Sequence, residues 1–229
     1  MLNHTRLFSL VLMLSLVAAF AISGIVTTPL QATSGVSMPG PMITLYATDH
    51  DEFTRVVPPQ QRVVAPSATT ITVNYMGSWD PQAKTAFQYA VDLWESYIAT
   101  PVPISVDASW EALGTNMLGR AGPTTVRFNF TNAPRLNTWY PIALANALRG
   151  LDLAPSESDI TANFSSSFSN WYLGTDGNTP AGKYDFVSVV LHELGHGLGF
   201  VGSGDVSNGQ GQWGLSNGVV NYPMIYDVY

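Results

Sequence analysis

Residues 189–200 read VVLHELGHGLGF, and this stretch decides how the rest of the chain is interpreted. It contains the pattern His-Glu-x-x-His, with His192, Glu193 and His196 at the fixed positions. Residues four apart lie on one face of an α-helix, about one turn from each other, so both imidazoles can face one metal ion. Glu193 is rotated by roughly 100° from His192, which places its carboxylate beside the metal. The spacing predicts a helical metal site with a neighbouring acid–base group.

The residues around the pattern predict that this helix is buried. They are almost all apolar, as is typical of a helix with no solvent-facing side. The apolar members are Phe186, Val187, Val189, Val190, Leu191 and Leu194. Two histidines and a glutamate on such a helix are costly unless they are paired or bind a ligand. A pair of core histidines is the alternative to metal binding, and the pattern itself favours Zn²⁺ bound by His192 and His196.

Composition restricts the classes of function. The chain has 229 residues, a net charge of −7 and only 9 lysines and arginines, which argues against nucleic-acid binding. With 46% hydrophobic residues it can build a sizeable core. It has no cysteine, which excludes both a cysteine-ligated zinc and a cysteine that caps the metal in a latent precursor.

Residues 1–32 are predicted to be a signal peptide. A short start carrying Arg6 precedes an apolar run over residues 7–26. Cleavage after Ala32 clears the whole run, and an earlier site after Ala21 is the other candidate. The run is also long enough for an uncleaved membrane anchor. In either case the remainder is expected outside the cytoplasm, and after cleavage no part of it is expected in the membrane.

Residues 33–69 are rich in Pro, Ser, Thr and Gly and are predicted to be a linker or a short pro-segment, with one short strand over 42–46.

The folded domain is expected to span 70–229. Its alternating apolar residues predict strands near 71–75, 102–106, 126–130 and 159–164, and a loop over 114–122. Asp80 and Asp185 are predicted to cap helices, the first of them long and amphipathic and ending near residue 99. The simplest packing is an α+β fold, a mixed sheet with these two helices on one face.

The chain from about Thr70 to Phe200 resembles the zincin metallopeptidases, and within them the metzincin-like branch. The resemblance rests on His192-Glu193-x-x-His196-x-x-Gly199, which matches the first eight positions of the extended family motif. It implies a zincin-like twisted mixed sheet, with the long helix and the active-site helix on one face. It also implies a zinc endopeptidase acting on protein or peptide substrates, with Glu193 as the general base. The strand over 159–164 resembles the family's edge strand, which pairs with an extended substrate.

The third zinc ligand departs from the family pattern. The family places it three residues after the glycine, where this chain has Gly202. A catalytic zinc ordinarily has three protein ligands and a water. Asp205, Asp227 or a residue beyond the chain end are the candidates, and the chain is expected to be a truncated form or a fragment. Met224 and Tyr226 resemble the Met-turn and the tyrosine that follows it in some members, although plain core packing explains a methionine here equally well.

A second class of function stays open beside the peptidase. The missing third ligand also fits a secreted binding or adhesion module with a structural or vestigial metal site. Hydrolysis of a non-peptide substrate is a third reading. No Gly-x-Ser-x-Gly elbow or phosphate-binding loop occurs, so serine-hydrolase and nucleotide-enzyme functions have no support.

Overall fold

The computed structural model describes residues 35–48, 69–216, 218 and 220–229. Its strands, numbered in chain order, are Val36–Pro39 (β1), Ile43–Tyr46 (β2), Ile71–Met76 (β3), Ile104–Glu111 (β4), Met117–Pro123 (β5), Thr125–Phe128 (β6), Trp139–Pro141 (β7), Ile160–Ser165 (β8), Trp171–Tyr172 (β9), Tyr184–Asp185 (β10), Asp205–Ser207 (β11), Gln210–Gln212 (β12), Leu215–Ser216 (β13) and Asn221–Tyr222 (β14). The α-helices are Pro81–Tyr97 (α1), Ile142–Arg149 (α2) and Phe186–Leu198 (α3), and a 3-10 helix spans Ile225–Val228.

A five-stranded mixed sheet in the order β2-β5-β8-β4-β3 is the largest sheet. β3, β4 and β8 are parallel to one another, while β5 runs antiparallel to both β8 and β2. A second sheet in the order β1-β6-β7 is antiparallel throughout. The remaining strands form three two-stranded pairs among the described residues. The α+β class with a mixed sheet, predicted from the sequence, is confirmed.

Both predicted helix starts are confirmed, and each has a side-chain cap. Asp80 accepts hydrogen bonds from the backbone N–H groups of Gln82 and Ala83, and Pro81 occupies the first helical position of α1. Asp185 accepts the backbone N–H of Ser188 at the start of α3. The caps satisfy donors that the first helical turn leaves unpaired, so these sequence signals fix where each helix begins.

The main core joins the large sheet to α1 and α3. These helices contact each other, and their apolar residues form one buried cluster with alternate residues of β4, namely Ile104, Val106 and Ala108. α3 packs mainly on β5 and also contacts β8 and β2. The packing places the His-Glu-x-x-His helix beneath the antiparallel part of the sheet.

The structure corrects two strand assignments. Residues 114–122, predicted as a loop, contain most of β5, which is hydrogen-bonded to neighbours on both sides. This strand contains two glycines and a proline, which have low strand propensity, so the sequence did not indicate a strand here. β8 was expected at the sheet edge, but it lies between β4 and β5, so both of its backbone edges are already paired. An extended substrate therefore cannot add to β8.

The described part of the predicted linker is folded rather than free. Within residues 33–69, β1 pairs with β6 and β2 pairs with β5. Residues 35–48 therefore contribute strands to the sheets, although they precede the start of the folded domain predicted near Thr70. Pro39 and Pro41 lack backbone N–H groups, which is compatible with strands at sheet edges but weakens a strand prediction from sequence.

The chain divides into two units, Met1–Ala32 and Thr33–Tyr229. The first unit carries the predicted signal peptide and lies outside the described residues, as do residues 49–68 of the predicted linker. In the part of the chain that is described, no helix is both long enough and apolar enough to span a membrane.

Candidate metal centre

α3 brings His192 and His196 together on its solvent-facing side. Their ring centroids are 4.6 Å apart, and the two Nε2 atoms approach to 3.0 Å. Two nitrogens bound to one zinc at about 2.0–2.1 Å each lie roughly 3.0–3.4 Å apart for bond angles between about 94° and tetrahedral. The imidazoles thus converge as a pair of zinc ligands requires, and His192 is exposed to solvent.

A backbone carbonyl fixes the tautomer of His196. Its Nδ1–H donates to the carbonyl oxygen of Phe200 at 2.7 Å. A neutral imidazole that donates from Nδ1 keeps its lone pair on Nε2, the atom that faces His192. Gly199 makes this contact feasible, because its φ of +137° turns the chain back immediately after the helix. Such a second contact orients a metal-binding histidine.

The neutral form of His192 is favoured before any metal binds. Partial burial of the ring lowers the pKa of His192, and the neighbouring His196 lowers it further. A zinc ligand must be the neutral imidazole, so both influences act in the direction that metal binding needs.

Glu193 is the buried member of the motif. Its side chain is 0% exposed, and neither carboxylate oxygen has a hydrogen-bond partner among the described residues. Burial raises the pKa of Glu193 to about 8, and the nearby backbone of Ala121 in β5 partly opposes that rise in pKa. An ionised carboxylate without hydrogen-bond partners in the interior is costly, so burial favours the protonated form of Glu193.

Neither carboxylate proposed as the third ligand joins the histidines. Asp227 accepts hydrogen bonds from the backbone N–H groups of Ser203 and Met224, which ties the chain after α3 to the 3-10 helix. Asp205 lies in the β11–β12 hairpin and accepts from the side-chain amide of Gln212. Within the described residues, no group of three His, Cys, Asp or Glu side chains is placed to hold a metal ion.

A side chain at position 202 would require Asp227 to move. A Cβ on Gly202 would lie 2.7 Å from a carboxylate oxygen of Asp227. The glycine at position 202 thus leaves the space in which the Asp227 carboxylate accepts its hydrogen bonds. The two histidines fit a zinc ion, and the described residues place no third His, Cys, Asp or Glu side chain beside them.

Met224 and Tyr226 have different surroundings. Met224 is fully buried in a second cluster with Val201 and Trp139, and its backbone bridges to Trp139. Val201 belongs to the chain segment that follows α3, so Met224 shares a buried cluster with that segment. Tyr226 is 53% exposed, and its ring centroid lies 6.1 Å from that of Phe200. Its phenol therefore stands on the same surface as the turn that orients His196.

Sequence reasoning missed two contributors to the site. The carbonyl of Phe200 carries no side-chain signal, although the glycine before it marks a turn. The backbone of Ala121 comes from β5, a strand that the sequence did not predict. Both act through backbone atoms, which a motif of side chains cannot reveal.

Comparison with known families adds one assignment. The sequence model of the SPBPB7E8-like family matches residues 81–208, more than half of the 229-residue chain. The chain belongs to the SPBPB7E8-like family. No curated protein and no solved structure matches it.

The SPBPB7E8-like match runs from the first residue of α1 to just beyond β11 and includes His192, Glu193 and His196. It leaves out β1 to β3 at one end and Met224 to Tyr229 at the other. The family description states no activity.

Proposed function

We propose that this chain is a secreted zinc-dependent endopeptidase. The observation that carries the proposal is the convergence of the two Nε2 atoms of His192 and His196 to 3.0 Å, on a helix in which the next residue after His192 is the buried Glu193. Three side chains at these spacings constitute the zinc-peptidase pattern. The locked Nδ1–H of His196 and the lowered pKa of His192 support the same use of the pair.

In this proposal His192 and His196 hold the zinc as neutral imidazoles. A bound zinc ion would supply a water of lowered pKa and would polarise the substrate carbonyl. Glu193 accepts the proton of the attacking water and later delivers it to the leaving amine. Burial raises the pKa of Glu193 to about 8, which suits a group that must both take and return a proton near neutral pH.

Within the α+β class, we propose that the fold is zincin-like. The long helix α1 and the His-Glu-x-x-His helix α3 share one core with a mixed sheet, which supports it. Secretion is likewise a proposal. It is supported by the apolar run over residues 7–26 and by the small number of charged residues, 11% of the chain.

The test combines metal content with cleavage of casein. The full chain is expected to bind one zinc and to cleave casein, and chelation with 1,10-phenanthroline should abolish cleavage until zinc is restored. Glu193→Gln should keep zinc while cleaving at least about 100-fold more slowly, because it loses the proton acceptor. Glu157→Gln, a change at an exposed position, is the matched control. Parent-rate cleavage by Glu193→Gln would show that the assigned base is wrong.

A binding module with a structural or vestigial metal site is the second candidate. One observation favours it: among the described residues only two side chains are placed as ligands, where a catalytic zinc ordinarily has three. Bound zinc without casein cleavage in the test above would support this candidate over the peptidase.

A further inference from the structure

An open groove lies along the exposed side of α1, where that helix faces the loop after β9. Two adjoining cavities of about 650 and 510 Å³ form this α1 groove, and Pro81, Thr85 and Thr175 line both of them. Each volume lies within the range of about 300–1,000 Å³ that is typical of ligand-binding clefts. None of the described residues that line the groove belongs to the His-Glu-x-x-His motif, so the groove is separate from the candidate metal centre.

Two neighbouring aromatic residues form a fixed wall of the groove. The hydroxyl of Tyr172 donates to Asp176 at 2.5 Å, and its ring occupies space that Gly174 leaves, because a Cβ there would lie 2.3 Å from the tyrosine Cζ. The indole N–H of Trp171 donates to the carbonyl of Ser165 at 2.8 Å. Both rings line the larger cavity and are only partly buried. Since their positions are set before a ligand arrives, stacking on them costs little conformational entropy.

The groove also carries polar side chains with unused hydrogen-bonding capacity. The carboxamide of Gln82, the hydroxyl of Thr175 and the phenol of Tyr89 form no hydrogen bond with any other described residue. A carboxamide offers two N–H donors and an acceptor, and each hydroxyl both donates and accepts. Lys84 and Asp92 are the charged lining residues, one of each sign, so the described lining has no net charge.

A chain of hydrogen bonds holds the smaller cavity in shape. The hydroxyl of Tyr75 donates to the side-chain carbonyl of Gln88 at 2.9 Å, and the amide of Gln88 donates to one carboxylate oxygen of Asp92 at 3.0 Å. The ammonium group of Lys84 lies 4.4 Å from the centre of the Tyr75 ring. The other carboxylate oxygen of Asp92 has no partner among the described residues, so it can accept a hydrogen bond from a ligand.

A neutral sugar polymer matches both the aromatic and the polar properties of the groove. One side of a pyranose ring presents C–H groups, which pack on aromatic rings, and its hydroxyl groups exchange hydrogen bonds with carboxamide, carboxylate and hydroxyl side chains. A lining without net charge gives no attraction for nucleic acid or other polyanions. Because the two cavities adjoin in an open groove, successive sugar units of one chain can occupy them.

We propose that the α1 groove is a binding site for neutral polysaccharide. Tyr172 and Trp171 stack on the sugar rings, while Gln82, Asp92 and Thr175 form hydrogen bonds with the sugar hydroxyl groups. The groove lies apart from the metal centre and binds polysaccharide whether or not the chain cleaves peptide bonds. Such binding would hold the metal centre at a polysaccharide surface.

Affinity gel electrophoresis of the full chain tests the proposal. The native gels contain hydroxyethyl cellulose, laminarin, xylan or galactomannan as neutral probes, and polygalacturonate as the acidic control. The chain is expected to be retarded by at least one neutral polysaccharide and to migrate in polygalacturonate as it does in a plain gel. Retardation by none of the neutral probes, or by polygalacturonate alone, would overturn the proposal.

Substitutions in the groove locate the binding. Tyr172→Ala removes a stacking ring and should weaken binding by about tenfold, whereas Tyr172→Phe keeps the ring and should recover most of that loss. Gln82→Ala, at an exposed position of α1, removes one hydrogen-bonding group and should weaken binding by about fivefold. Tyr97→Ala is the matched control, because Tyr97 is an exposed aromatic residue of the same helix outside the groove.

The outcomes distinguish polysaccharide binding from peptidase activity. Parent-like retardation of folded Tyr172→Ala and Gln82→Ala would overturn the groove as the binding site, and Gln82→Ala alone decides where Tyr172→Ala does not fold. Retardation should persist in 1,10-phenanthroline, and its loss from the folded chain would place binding at the metal centre and overturn the proposal. Retardation without casein cleavage would support the groove and contradict the peptidase, while casein cleavage without retardation would do the reverse.

Discussion

The pKa of Glu193 differs between the folded and the unfolded chain. Burial raises its pKa from 4.5 to about 8. A carboxyl group with a higher pKa in the folded than in the unfolded chain binds its proton more tightly when folded. Its contribution to stability is therefore complete below pH 4.5 and is lost as the pH rises through about 8. In the metal-free protein the loss is on the order of a few kcal/mol.

Glu193→Gln should remove this dependence, because glutamine fills the same volume without charge. In a chelator, the variant should unfold at a higher urea concentration than the parent at pH 9, and the difference should be much smaller at pH 5. Glu157→Gln, at an exposed position, controls for the loss of one charge. An equal difference at both pH values would contradict a buried carboxyl group at position 193.

At the residue scale, the sequence predicts the side chains but not the atoms that orient them. The four-residue spacing of His192 and His196 is a property of any α-helix, so their convergence follows from the motif. The hydrogen bond from His196 to the carbonyl of Phe200 depends on the path of the backbone after the helix. The full burial of Glu193 arises from long-range packing that includes β5, a strand that the sequence did not predict.

At the element scale, the turn that ends α3 links helix geometry to metal affinity. Gly199 adopts a φ of +137°, which side chains other than glycine rarely tolerate, although a Cβ would find only an ordinary contact of 3.6 Å with Leu144. Gly199→Ala should therefore displace the carbonyl of Phe200 and weaken zinc binding by about 10- to 100-fold.

Gly195→Ala is the matched control for this prediction. Gly195 lies within α3, and its Cβ would meet only ordinary contacts at 3.6 Å or more. Alanine there should leave zinc affinity unchanged and stabilise the helix by up to about 1 kcal/mol. Competition with a fluorescent zinc chelator measures both affinities. Equal affinities for the two variants would show that the turn does not orient His196.

The elements differ in how far local sequence determines them. α1 and α3 follow from a capping aspartate and a helical period of apolar residues, both local signals. β5 contains Gly119, whose absent side chain leaves room for the ring of Phe164 only 3.0 Å from a Cβ position. Close packing against its neighbours stabilises this strand, although the local strand propensity of its glycines is low.

At the scale of the whole molecule, the second core cluster joins distant parts of the chain. Trp139 is fully buried there together with Met224, and Met38 of β1 and Ile43 of β2 pack against the same cluster. Its indole N–H donates to the carbonyl of Leu215 at 3.0 Å. Contacts over such separations could not be predicted from the sequence, because each segment alone is short and has Pro or Gly in it or close by.

Asp227 is the side chain through which this long-range organisation can be tested. It accepts two backbone N–H groups, from Ser203 at 2.9 Å and from Met224 at 2.8 Å, and it also bonds the hydroxyl of Ser203. The hydroxyl oxygen of Ser203 in turn accepts the N–H of Gly214 at 2.8 Å. One carboxylate thus connects the turn after α3, the following loop and the 3-10 helix.

Asp227→Ala should lower the free energy of unfolding by about 2–4 kcal/mol, since it leaves partly buried donors without their charged acceptor. It should still bind one zinc, because Asp227 stands apart from the two histidines. Asp205→Ala, in the β11–β12 hairpin, should bind zinc equally and cost little stability. Urea unfolding and metal analysis of the two purified variants measure both effects. Loss of zinc from folded Asp227→Ala, with His192 and His196 intact, would place Asp227 in the metal centre and contradict its role as a structural tie.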